Sequence, residues 1–244
     1  MRIRLLIVGA IGLSLIRAEV VAAQGPSGGR LVFDQAHGEQ PPPEPLHALA
    51  RKLGLEVQLL SGPVTTTALE GARILYLRAP SQEFTAAEAG AIVTFVKGGG
   101  SLLLVLDQER RQSLEKTRVN DLIRPFGMTL TPDSEYLHNT GAVAKAGEIH
   151  RSDREVPFSG GRAVEGGTAF AFQLDKAGQP SHPFGAYRRL DTGGRLVVLG
   201  EGMASLFLGE PNAVRLSGSL NNLTPYWGKD SAIFMEEVLT WLAE

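Results

Sequence analysis

The chain has 244 residues, 43% of them hydrophobic and 20% charged, with a formal net charge of −2. These are ordinary globular values; there is no basic stripe and no aromatic platform set among Arg and Lys, so nucleic-acid binding gains no support. The chain has no cysteine, which excludes disulfides, thiolate metal sites and a cysteine nucleophile.

Arg2 and Arg4 precede an apolar run from Leu5 to Ile16, and Val21-Ala22-Ala23 puts small residues before Gln24. The pattern predicts a signal peptide over 1–23 and a flexible leader over 24–29. Arg17 and Glu19 interrupt the apolar run, which falls short of the ~20 residues of a spanning helix. The expectation is an exported chain, periplasmic or secreted, touching a membrane only if the segment stays uncleaved. Residues 30–244 read as one domain.

Leu31-Val32-Phe33 is a continuous apolar run ending at Asp34, as expected of a strand buried on both faces. His37, Gly38 and Glu39 follow, then a loop stiffened by four prolines. Leu46 to Leu53 reads as a helix stopped by Gly54, and Leu55 to Leu60 as a second strand. Arg73 to Leu77 reads as a third. Thr85 and Glu88 have capping-box spacing and open a helix that points Ile92, Val93, Phe95 and Val96 inward. Gly98-Gly99-Gly100 ends that helix and turns the chain into a strand at Leu102 to Leu106, followed by Asp107. These glycines precede a strand, so they are turn residues and no phosphate loop. Asn120 to Phe126 reads as a helix stopped by Gly127. These βα units predict a largely parallel sheet with helices on both faces.

From about 131 to 183 the chain is rich in Gly, Ser, Asp and Pro, and we read it as a loop-rich, antiparallel β insertion. His138, His150 and His182 fall there and are expected in solvated loops. Ala186 to Leu190 and Arg195 to Leu199 read as a hairpin turning at 191–194, the second strand rejoining the sheet. Tyr226 and Trp227 are expected to pack on the body. A closing helix from Asp230 to Leu242 turns Ile233, Phe234, Val238, Trp241 and Leu242 inward.

Three segments together, LVFDQAHG (31–38), FTAAEAGAIVTFVKGGGSLLLVLD (84–107) and GRLVVLGEG (194–202) with the closing helix, resemble a group of bacterial class I glutamine-amidotransferase-like domains. That group is akin to the GIFT domain of gliding-motility and intraflagellar-transport proteins, and more distantly to ThuA-like proteins. The resemblance implies a flavodoxin-like α/β fold. Active amidotransferases carry a cysteine on a sharp turn after a strand, with a His and a Glu after a later one. Here the corresponding turn holds Asp107-Gln108-Glu109, and the later strand ends in Gly200-Glu201-Gly202 with no His. The resemblance therefore implies a lost triad and no glutaminase activity.

Parallel strands deliver ligand-binding residues to their carboxyl edge. Asp34, His37, Arg78, Asp107, Glu109 and Glu201 all follow predicted strands and form the candidate ligand-binding set; Asp34, His37, Asp107 and Glu201 are expected to converge near the switch point, with Gly38 and Gly202 leaving room for the ligand. No catalytic residue, metal or cofactor is assigned: several of these are acceptable ligand types, but Asp-x-x-His spacing is common. No Gly-x-Ser-x-Gly elbow marks a serine hydrolase. The expected function is an exported, non-catalytic binding or interaction domain whose partner is a small molecule such as a carbohydrate, or an envelope protein. Two alternatives are a carbohydrate-acting hydrolase using a carboxylate pair drawn from Asp34, Asp107, Glu109 and Glu201, and a structural part of an envelope assembly.

Overall fold

The computed structural model describes residues 28–39, 41–42, 44–133, 141–156, 158, 160–202 and 230–244. The signal-peptide segment, His138, Tyr226 and Trp227 lie outside them.

Strand β1 (Gly29–Asp34) opens the sheet and takes in the last leader residue. Helix α1 (Glu44–Lys52) leads to β2 (Leu55–Leu60), and β3 (Ala72–Arg78) to α2 (Ala86–Lys97) and β4 (Ser101–Val105). The capping box of α2 forms as its sequence dictates: Thr85 accepts from the Glu88 N–H, and Glu88 accepts from the Thr85 N–H. Two short helices follow, α3 (Leu114–Thr117) and α4 (Asn120–Ile123), the second extended by a 3-10 turn over Arg124–Phe126. The helix read over 120–126 is thus half α and half 3-10, with Pro125 on its tighter turn; α3 carries no apolar periodicity and goes unread. Then come β5 (Thr129–Asp133), β6 (Ala142–Ala144), β7 (Arg154–Val156), β8 (Arg162–Glu165), β9 (Thr168–Leu174), β10 (Pro180–Arg189), β11 (Arg195–Leu199) and α5 (Ser231–Ala243).

The main sheet has the order β2-β1-β3-β4-β11-β10-β9-β6-β7. Its first five strands run parallel, in the flavodoxin-like order, and are apolar throughout their centres because helices cover both faces. Leu31, Phe33, Tyr76, Leu103 and Val197 pack with α1 and α5. Val32, Leu75, Leu104 and Val198 pack with α2 and α4 on the other side. The insertion adds β10, β9, β6 and β7 antiparallel, while β5 and β8 form a separate pair.

Three expectations need correcting here. His182 lies within β10 and is half-buried, not in a solvated loop. Ile233 is 39% exposed; the buried stripe of α5 runs through Phe234, Met235, Val238, Leu239, Trp241 and Leu242. His150 is buried, not solvated. Its ring packs against Phe234 and Phe170, with centroids 5.0 and 5.5 Å away. Nδ1 lies 2.7 Å from Glu237 Oε2, and Arg154 holds the other carboxylate oxygen at 2.6 Å. This network fastens α5 to the insertion.

Burial lowers the His150 pKa below 6.5, with Glu237 opposing that shift only in part. The sign of the pH effect follows. Below 6.5 the unfolded chain takes up a proton that the folded chain refuses, so the His150 contribution is complete above 6.5 and declines on acidification. Relative to a His150→Gln variant, the wild type should lose about 2–5 °C of melting temperature per pH unit between pH 6.5 and its folded pKa. A constant difference across pH 5–7.5, measured by thermal denaturation, would contradict a neutral His150.

Candidate functional site

All six sequence-predicted residues lie at or just beyond the carboxyl ends of parallel strands, but strand order divides them. Between β1 and β11 stand β3 and β4, so the two ends are separated by three strand spacings, about 14 Å. The residues form two groups with Arg78 between, and do not converge on one pocket.

The first group is built by β1 and the N-terminus of α2. Asp34, the last residue of β1, points to the α2 face because it alternates with Phe33. Its Oδ1 accepts from the Ala36 N–H at 3.0 Å, and its Oδ2 lies 2.6 Å from His37 Nδ1. His37 stacks on Phe84, with centroids 3.8 Å apart, and its Nε2 lies 3.2 Å from Glu88 Oε1. The imidazole thus sits between two carboxylates, all three side chains buried. Burial pushes the His37 pKa down, but the hydrogen bond and charge of Asp34 and the charge of Glu88 prevail and raise it above 6.5. Glu39 accepts from the His37 N–H at 3.0 Å. Burial, then the nearby Asp34 charge, pushes its carboxyl up to about 9. Asp34, His37 and Glu39 bring ligand-type atoms within 4.8 Å of one another. Gly38 has a φ of +82°, and a Cβ there would stand 2.3 Å from Ser81 Oγ. That glycine serves a left-handed turn packed against the next loop; it leaves no space for a ligand.

Arg78, last in β3, lies on the opposite face from Asp34. It is buried and donates to the Pro41 carbonyl at 3.3 Å; burial lowers its pKa.

The second group surrounds the turn after β4. Asp107 Oδ2 accepts from Arg111 at 2.7 Å and its Oδ1 from the Gln108 N–H at 2.8 Å. Glu109 Oε2 pairs with Arg162 Nη1 at 2.9 Å. Burial opposes ionisation of Glu109, but hydrogen bonds from Ser113, the Leu114 N–H and Arg162 hold its pKa below the usual carboxylate value. Glu201 is fully buried, and Gly202 backs onto Asp107, where a Cβ would lie 3.3 Å from Oδ2.

Arg162, from the insertion, was invisible in the sequence and organises this turn. It is fully buried. Nε donates to the Asp107 carbonyl at 2.6 Å, Nη1 to Glu109 and to the Thr131 carbonyl, and Nη2 to the Gln112 carbonyl. Its backbone N–H reaches the Gly200 carbonyl at 2.9 Å, an approach so close that a Cβ on Gly200 would stand 2.2 Å from the Arg162 carbonyl oxygen. By resemblance, this turn is where an amidotransferase carries its nucleophile. Here an arginine fork ties it to the insertion. Glu88 and Arg111 are the other partners that local sequence did not single out for the edge; the capping box was the one available signal for Glu88.

The comparisons agree with this architecture. Residues 30–143 match the family model described as the IFT52 GIFT domain. The mouse intraflagellar transport protein 52 homolog is 27% identical over 118 residues, covering 46% of this chain and 27% of that protein; the chain therefore spans about a quarter of that relative's length. The solved mmIFT52 N-terminal domain superposes with a TM-score of 0.65 at 20% identity, covering 88% of this chain and 97% of that one. A protein of the GMP synthase type from Thermoplasma acidophilum gives 0.51 at 10% identity, covering 88% and 94%. The fold is of the glutamine-amidotransferase-like type.

These findings overturn the expected function and location. The relatives are intraflagellar transport proteins, so the readings as an exported binding domain, a carbohydrate-acting hydrolase or an envelope component, and the periplasmic or secreted location, are withdrawn. The export reading rested on a short apolar run with small residues after it, a pattern of composition alone. The hydrolase reading also fails chemically: Asp34, Asp107 and Glu109 are all held by internal partners.

Proposed function

We propose that this chain is a non-catalytic protein-interaction domain that joins an assembly of the intraflagellar-transport type. The observation that carries this reading is the likeness of residues 30–143 to the IFT52 GIFT domain. The missing cysteine supports it, since no thiolate can attack glutamine. We take residues 30–244 as one domain with an insertion over about 131–183, because β6, β7, β9 and β10 continue the main sheet. In this reading the six carboxyl-edge residues shape the loops at that edge, and the partner is a protein.

One surface offers a place to test it. A groove of about 540 Å³ lies between α3, α4 and β5, lined by Arg118, Asp121, Arg124, Thr131 and Glu165 among others. Affinity purification of the tagged chain after mild crosslinking should recover protein partners in near-stoichiometric amounts. Arg118→Glu with Arg124→Glu should release them while the melting temperature stays within about 2 °C, as expected of exposed charges. Recovery of a partner-free chain, or ammonia release from glutamine above a heat-denatured control, would count against the proposal.

A further inference from the structure

The turn after β1 gathers more than a hydrogen-bonded histidine. Asp-x-x-His spacing carries little alone, but the fold adds Glu39 and Glu88 to it. We propose that Asp34, His37 and Glu39 form a binding site for one divalent transition cation, with Zn²⁺ the best match. The donors are Asp34 Oδ2, His37 Nδ1 and Glu39 Oε1. This inference stands apart from the protein-interaction reading.

Convergence within 4.8 Å is the first observation, and three others point to an ion. Glu39 is only 9% exposed, and among the described residues no N–H group donates to its buried Oε1; the polar group beside this carboxyl is that of Asp34. Two buried carboxyl groups side by side repel when both are ionised, and a cation between them is the kind of partner they lack. Its Oε2 is occupied by the His37 N–H, which fixes where the carboxyl group can turn. The second is the far side of His37. A metal-bound histidine commonly gives its remote ring N–H to a carboxylate, which sets the tautomer. Nε2 faces Glu88 Oε1 at 3.2 Å, so Nδ1, which lies 2.6 Å from Asp34 Oδ2, is the nitrogen for the ion, the metal taking the place of the proton shared between those two atoms. Glu88 is itself pinned by the Val64 and Thr85 N–H groups. The third is preorganisation: Ala36 occupies Asp34 Oδ1 and Phe84 fixes the imidazole plane.

The donor set selects the ion. One imidazole nitrogen with two carboxylate oxygens suits Zn²⁺ and its first-row neighbours. Ca²⁺ needs six to eight oxygens, and Mg²⁺ an octahedron of them.

The test uses the full, tag-free chain, stripped with EDTA, dialysed, and titrated with ZnCl₂ by calorimetry and thermal shift, with CaCl₂ as contrast. The expected result is one Zn²⁺ per chain, a melting temperature raised by several degrees through mass action, and little response to Ca²⁺. Glu39→Gln should weaken binding about tenfold or more, yet leave the stripped protein as stable as the wild type, because glutamine keeps an oxygen for the His37 N–H. Glu88→Gln should weaken it by about 10–100-fold, the usual effect of losing a histidine's carboxylate partner. No saturable Zn²⁺ binding would overturn the proposal. So would binding of unchanged affinity in Glu39→Gln, which would put the ion elsewhere.

Discussion

Arg162→Met should lower the melting temperature by about 6–20 °C, corresponding to roughly 3–5 kcal/mol. The side chain is fully buried and serves three backbone carbonyls, those of Asp107, Gln112 and Thr131, besides Glu109. Methionine fills much of the volume but donates nothing, so buried carbonyls lose their donors at about 1–3 kcal/mol for each that finds no water. The ion pair itself is the smaller part. Glu109 is 44% exposed, so Glu109→Gln alone should cost under about 1 kcal/mol. Lysine should rescue poorly, since a single ammonium cannot reproduce a planar fork that reaches several carbonyls at once. Thermal and urea denaturation of the three variants would check this. A melting temperature within 3 °C of wild type for Arg162→Met would mean that the turn after β4 does not depend on the insertion.

The second large effect is expected at His37. With EDTA present, His37→Leu should destabilise the fold by about 3 kcal/mol or more near pH 6. It leaves Asp34 and Glu88, both buried, without the cation between them. The pH dependence has a definite sign. The folded pKa of His37 is raised above 6.5, so its contribution is complete below 6.5 and is lost as pH rises through the folded value. The gap between wild type and variant should therefore narrow from pH 6 toward pH 9. A gap that widens with pH would show that neutral imidazole, not imidazolium, is the form the carboxylates hold. An edge residue contributes to stability in this way because each oxygen of Asp34 already has an internal partner.

Much of the fold was legible because its parallel half is written locally. Leu31-Val32-Phe33, Ile74-Leu75, Leu102-Leu103-Leu104 and Leu196-Val197-Val198 are unbroken apolar runs since helices cover both faces. The capping box announced α2 within a residue. The insertion was less readable: β6 and β7 have three residues each, too short to show a period, and their pairing is non-local. The candidate site was half legible. Strand ends gave Asp34, His37, Asp107 and Glu201 correctly as carboxyl-edge residues. They could not give strand order, which splits the set. Nor could they give the partners: Glu88 lies 51 residues beyond His37, and Arg162 sits 53 residues beyond Glu109. His150 was misplaced for a related reason, since Phe170, Phe234 and Glu237 bury it from distant segments.

The order in which the strands are synthesised has a consequence of its own. β4 lies between β3 and β11, with all five of its residues buried, yet β11 follows it by about 90 residues. At usual ribosomal rates of roughly 5–20 residues per second, β4 waits on the order of 5–20 s for its second neighbour. During that interval an apolar, hydrogen-bond-hungry strand edge is open to any other chain. A nascent polypeptide halted after β6 would keep that edge open indefinitely. Truncations near residue 143, where the family likeness ends, are thus expected to aggregate and to need chaperones, and expression of this domain should succeed only when the segment through α5 is included.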